Sequence, residues 1–130
     1  AIDLQLPSLD HVPHDQVGRV LIAHFFQRWE GDPADDQLRV LIRTAATNGE
    51  AAARIRAVLA EQVTARVIAV AGPDRAAERA ALIATQILGL AYARYVMELP
   101  EELLPRGTMR VMIGATIQRY LFDDLPVQPG

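Results

Sequence analysis

DRAAERAALIATQILGLAYARYVMEL, Asp74 to Leu99, is the stretch whose reading decides the fold. From Ala77 onward every fourth residue is small: Ala77, Ala81, Thr85, Gly89 and Ala93. A row at that spacing makes a shallow groove along a helix, into which a second helix backbone can settle. Between Ala80 and Ala93 only Thr85 and Gln86 interrupt the apolar surface, so no broad solvated face remains. A helix that is apolar nearly all round is buried on more than one side. In a chain of 130 residues, such a helix either occupies the centre of a bundle or shares its second face with a partner.

Working outward, Gly72 and Pro73 stop the preceding helix, and Pro100 and Pro105 bracket an acidic link that follows. The last helix is expected from about Thr108 to Phe122. It carries Met109, Met112, Ile113, Thr116, Ile117 and Tyr120 on one side and Val111, Ala115 and Phe122 on another, with Gly114 permitting close approach. The tail from Asp123 to Gly130, with two prolines and a glycine, reads as frayed.

Upstream, Glu50 to about Ala71 is helical, with Ile55, Val58, Leu59, Val63 and Val70 inward. Gln62 and Arg66 lie within that inward arc. Before it, Leu38, Leu41, Ile42 and Ala45 form the stripe of a shorter helix, with Arg39 and Arg43 outward. Asp32 suits its cap, Pro33 its first turn, and Asp35 and Asp36 the positive end of its dipole. The first clear helix runs from about His14 to Glu30. Val17, Val20, Leu21, Ile22, Phe25 and Trp29 cover its apolar side, while Glu30 falls on the polar arc. His24 and Arg28 sit on the apolar side, where a polar group must find a partner. Ala1 to Pro13 reads as an irregular lead-in.

Composition agrees with an all-α domain. The hydrophobic share of 51% excludes a disordered chain, and aromatics at 5% beside abundant alanine favour helices over sheets. No apolar run is long enough to span a membrane. The chain has no cysteine, which removes disulfides and thiolate chemistry and is consistent with a cytoplasmic location. A net charge of −3 leaves no excess of positive charge to meet a phosphate backbone. Residues 1–130 read as one domain, with no signal-type leader expected.

Catalytic and metal signatures are not evident. Asp10, His11, His14 and Asp15 cluster in the lead-in, but Pro13 separates the histidines and the segment is a loop, so no metal or other cofactor is expected. The single serine, Ser8, has no nucleophile elbow around it, and phosphate-cradling glycine loops are missing. An enzyme is therefore not expected.

The final two helices carry more apolar surface than one small bundle can bury. They are expected to pack against their own copy across a two-fold axis, forming an intermolecular four-helix bundle in a homodimer. The residues expected there are Leu82, Leu90, Met109, Met112, Ile113, Gly114, Ile117 and Tyr120.

Four strings place the chain beside a known family: AHFFQRWE (Ala23 to Glu30), LRVLIRTAATNGEAAARIRAVL (Leu38 to Leu59), ATQILGLAYARYVMEL (Ala84 to Leu99) and ATIQRYL (Ala115 to Leu121). In these the chain resembles the C-terminal ligand-binding and dimerisation domain of tetracycline-repressor (TetR) regulators, in the form common in actinobacteria. The resemblance implies a bacterial transcriptional repressor, dimeric, whose grip on operator DNA changes when a small, largely apolar effector enters this domain. The family's N-terminal helix-turn-helix is not matched by any part of this chain, so operator contact is expected only through a domain outside it.

A ligand site is expected among His24, Phe25, Trp29, Gln62, Gln86 and Tyr92, an apolar set with a few polar anchors. Arg66 and Arg94 could pair with an acidic ligand or simply form salt bridges. The alternative reading is a helical dimerisation or protein-interaction module that takes no ligand.

Overall fold

The computed structural model describes residues 2–32 and 36–128, which contain helices and connecting segments and no strand. A 3-10 turn, His14–Gln16, leads into α1 (Val17–Glu30), followed by α2 (Gln37–Ala45). α3 (Gly49–Val58) continues through a π turn (Leu59–Val63) into α4 (Thr64–Ala71), forming a single rod. α5 (Ala76–Tyr95), a 3-10 turn (Glu101–Leu103) and α6 (Arg106–Phe122) complete the bundle. The expected helix from Glu50 to Ala71 is thus one rod with a widened turn at its middle. A single π turn calls for no particular residue type, so the sequence does not announce it.

Pro33 and Asp35 lie outside the described residues. Asp32 does not cap α2, because the helix begins only at Gln37; Asp36 holds the N-cap position and makes no side-chain cap bond. Asn48 caps α3 in the ordinary way, its side-chain oxygen accepting from the Ala51 amide at 3.0 Å.

The closest helix crossing is that of α1 on α6. A Cβ at Gly18 would lie 2.1 Å from the Gly114 carbonyl oxygen, so only glycine fits there. α1 has no cap from its own Gln16. Instead Gln118 on α6 serves its start, accepting from the Gly18 amide at 2.8 Å and donating to the His14 carbonyl at 2.6 Å. Ile22 and Ile117, both fully buried, lie in the core between these helices.

α5 turns Ala76, Ala80, Ile83, Ala84, Leu90 and Ala91 into the protomer. Within the single chain the small-residue row of α5 faces away from the core. Ala77, Ala81, Thr85 and Gly89 are exposed, and a Cβ at Gly89 would meet nothing within 4 Å. α4, the π turn, α6 and α2 approach α5 from its other sides, and none of these covers the row.

Arg79, only 5% exposed, fastens α5 to the end of α6. It donates to the carbonyls of Tyr120 (3.0 Å), Asp123 (2.7 Å) and Asp74 (3.1 Å) and pairs with the Asp74 carboxylate at 3.2 Å. The segment after α6, expected to fray, is tied down through Gln128: Arg75 donates to the Pro126 carbonyl at 2.7 Å and Gln128 to Glu78 at 3.0 Å.

Candidate functional site

An alternating string, Ile2-Asp-Leu-Gln-Leu6, begins the site. In an extended chain that period sends one set of side chains inward and the other to solvent. Ile2 is buried and Leu4 and Leu6 are half-buried, while Asp3 and Gln5 are exposed. The chain turns at Gln5, whose left-handed backbone (φ 54°) is held by its amide donating to Asp3 Oδ1 at 2.7 Å. This strap closes one side of a cavity of about 90 Å³ between α1, the α3–α4 rod and α5. Leu21, Phe25 and Trp29 line it from α1, Val58, Val63 and Val67 from the rod, and Ile83 and Ile87 from α5.

The strap is held by polar side chains from both walls. Gln62, in the π turn, accepts from the Leu4 amide at 2.8 Å and donates to the Ile2 carbonyl at 2.7 Å. His24 Nε2 lies 2.9 Å from the Leu4 carbonyl, which can only accept, so that nitrogen carries the proton. Arg28 Nε donates to the Asp3 carbonyl at 3.1 Å, and Arg66 to the Leu6 carbonyl at 3.4 Å. Arg66 Nε is enclosed and makes no hydrogen bond with the described residues. His24, Arg28 and Arg66 are the polar side chains lining the cavity, and no carboxylate lines it among the described residues.

The aromatic wall is fixed from behind. Phe25 stacks on Trp29 (centroids 5.5 Å apart), and Trp29 stacks on Tyr95 (5.5 Å, planes 5° apart). Arg39, expected to point outward, lies over the Tyr95 ring at 4.5 Å and donates to the Trp29 carbonyl at 3.0 Å. Arg43, also expected outward, reaches the Tyr95 carbonyl at 2.7 Å. The Tyr95 hydroxyl donates to Glu30 at 2.6 Å. Glu30 also receives Arg94 at 3.0 Å and Arg106 at 2.6 Å, so three rods meet on one carboxylate. Burial raises the Glu30 pKa, but the hydrogen bonds from Tyr95, Arg106 and Arg94 outweigh it and hold the group below its ordinary value. Burial, reinforced by Glu30, pushes the Tyr95 hydroxyl far above its usual range, so it stays a donor.

Of the six residues expected to form a ligand site, the structure brings His24, Phe25 and Trp29 to the cavity wall and Gln62 to the strap beside it. Gln86 and Tyr92 do not line the cavity: Gln86 faces the Tyr120 hydroxyl at 3.4 Å, and Tyr92 is exposed. The reason is helical phase, since the cavity takes Ile83, Ala84, Ile87 and Leu88 from α5 and leaves 86 and 92 on other sides. Arg94 forms its salt bridge with Glu30.

Of the expected interface residues, Leu90, Met109, Gly114 and Ile117 are buried inside the protomer. α1 lies across α6 and takes the face that carries Gly114. Leu82, Ile113 and Tyr120 are half-buried, and Met112 is 63% exposed.

Sequence reasoning missed the strap, Glu30 and Arg79. The Ile2-Leu4-Leu6 alternation was the available signal for the first; single charges at the ends of helices carried none for the others. Among the described residues no three metal-ligating side chains converge, and His14 packs tilted against Phe122 with ring centroids 3.7 Å apart. No helix among the described residues is long and apolar enough to cross a membrane.

Compared with known proteins, residues 15–121 match the family described as Tetracyclin repressor-like, C-terminal domain. No curated protein and no solved structure gives a significant match.

Proposed function

The chain belongs to the tetracycline repressor-like C-terminal domain family, and we propose that it is the effector-sensing and dimerising part of a bacterial transcriptional repressor. The observation that carries this reading is the apolar cavity closed by a hydrogen-bonded strap. At about 90 Å³ the cavity is smaller than the roughly 300 Å³ at which small-molecule pockets begin. Leu4 and Leu6 of the strap border it, and their outward movement is the route by which we propose it enlarges. The two states of the switch are then strap in and effector in. An effector shifts the balance only by as much as it prefers the second.

The dimer uses the face that the protomer leaves bare. Ala77, Ala81, Thr85 and Gly89 on α5 form a smooth row, and Val111, Met112 and Ala115 on α6 are exposed apolar or small residues. Small side chains let two helix backbones approach closely. The pairing is a four-helix bundle of α5 and α6 from two copies, with Leu82, Met112, Ile113 and Tyr120 at its edges. Operator DNA is contacted through a domain outside this chain.

The test is a thermal-shift screen of apolar and amphipathic small molecules, run beside sedimentation velocity at micromolar concentration. A ligand at about 100 times its Kd adds about 2.7 kcal/mol to stability, a readily measured rise in Tm. A monomer that no compound stabilises would overturn the reading. A dimer that no compound stabilises would favour the interaction module instead.

A further inference from the structure

We propose that the effector carries an anionic head, a carboxylate on an apolar chain, and that Arg66 receives it. This rests on the reading of the cavity as the effector site. Every side chain that grips the strap from the cavity walls faces a backbone carbonyl: His24 faces Leu4, Arg28 faces Asp3, Gln62 faces Ile2 and Arg66 faces Leu6. The strap satisfies a ring of donors with acceptor oxygens. Whatever replaces it must bring acceptor oxygens of its own, or leave those donors buried and unpaired.

Charge narrows the choice. Both ionised groups that line the cavity are guanidinium groups. Arg66 is the less well satisfied of them: its bond to Leu6 is long at 3.4 Å, and among the described residues its Nε has no hydrogen-bond partner and it forms no ion pair. Asp10 lines a groove on the outer side of Arg66 without pairing with it. A partly buried guanidinium without a counter-ion is costly, and a carboxylate placed against its fork makes two charge-assisted hydrogen bonds. A neutral apolar molecule would leave that cost in place, and a cationic one would add to it. The remaining walls are aliphatic and aromatic, which suits an unbranched chain of modest length occupying the room of Leu4 and Leu6.

The experiment uses Trp29, the sole tryptophan, which lines the cavity. Its emission is titrated with octanoate, 1-octanol and octylammonium, all below micelle-forming concentrations. Octanoate is expected to bind at least about tenfold more tightly than 1-octanol, the discrimination a charge-assisted hydrogen bond supplies, with octylammonium weakest. In Arg66→Met the octanoate affinity falls to that of 1-octanol while 1-octanol is unchanged, which also shows that the variant is folded. Arg66→Lys keeps part of the preference, since it keeps the charge but not the fork. Equal binding of octanoate and 1-octanol by the wild type, or a preference that survives Arg66→Met, overturns the anionic head while leaving the cavity reading intact. Failure of all three ligands to perturb Trp29 overturns the cavity reading and this proposal with it.

Discussion

Gln62 holds Leu4 and its neighbour by both ends of one amide, accepting from the Leu4 amide at 2.8 Å and donating to the Ile2 carbonyl at 2.7 Å. Both polar atoms of this one side chain are committed to the strap, so the contact bears directly on how firmly the cavity is closed. Gln62→Leu removes both bonds and leaves strap groups unpaired, a loss of about 1–3 kcal/mol for the strap alone. Hydrogen exchange at the Leu4 amide should accelerate while exchange in α1 and α6 stays unchanged. Protection at Leu4 equal to wild type would mean that the leucine side chains, and not the amide, hold the strap.

Glu30 makes stability depend on pH in a defined direction. Its folded pKa lies below the ordinary 4.5, so folding favours the ionised form. The resulting stabilisation is complete above about pH 5 and disappears as pH falls through the lower folded value. In Glu30→Gln it is absent throughout. The difference in Tm between wild type and variant should be largest near neutrality and shrink below pH 4.5; a constant gap from pH 7 to pH 3 would rule the ionised hub out.

Two glycines in helices should respond oppositely to alanine. At Gly18 the new methyl would sit 2.1 Å from a backbone oxygen, which cannot step aside. Gly18→Ala should cost about 3 kcal/mol or more, or prevent folding. At Gly89 it would meet nothing, and Gly89→Ala should raise the stability of the protomer by about 0.5–1 kcal/mol. Urea titrations of the two variants give the comparison directly.

A larger residue at the same exposed glycine tests the dimer. Gly89→Arg fits the protomer but holds apart any helix that approaches along Ala81 and Thr85. Light scattering should report monomers with undiminished helical circular dichroism. Dimers of unchanged stability would place the two-fold axis on another face.

Arg79 should not tolerate lysine. Its fork reaches three carbonyls and one carboxylate, a pattern an ammonium group cannot reproduce. Both Arg79→Lys and Arg79→Met should lower stability by about 2–4 kcal/mol, with hydrogen exchange rising first near Tyr120 to Asp123. A lysine variant as stable as wild type would reduce the role of Arg79 to charge alone.

The helices were legible because each carries enough apolar residues at helical spacing to declare itself, and Gly72, Pro73, Pro100 and Pro105 mark breaks that the structure keeps. The cavity wall was half legible. His24, Phe25, Trp29 and Gln62 were singled out as inward residues on their own helices, and their helices do converge. Gln86 and Tyr92 were not separable from them, because α5 is apolar on several sides and its phase is set by neighbours that lie far away in sequence. For the same reason Leu90, Met109 and Ile117 looked like interface residues and proved to be core. The strap escaped notice since five residues with two prolines beyond them resemble a linker until they are seen against Gln62.

The glycine crossing of α1 and α6 settles which part of the domain can give way. With Gly18 in backbone contact with Gly114, and Gln118 bonded to both sides of the start of α1, these two helices have no slack in which to slide. The strap, by contrast, is held to α1 and to the rod by side-chain hydrogen bonds, and the rod contains a turn of π geometry. On the proposed reading of the cavity as an effector site, expansion would be one-sided. The α1–α6 pair would act as an anvil, and the displacement that makes room for a ligand would pass outward through residues 2–6 and the widened turn of the rod.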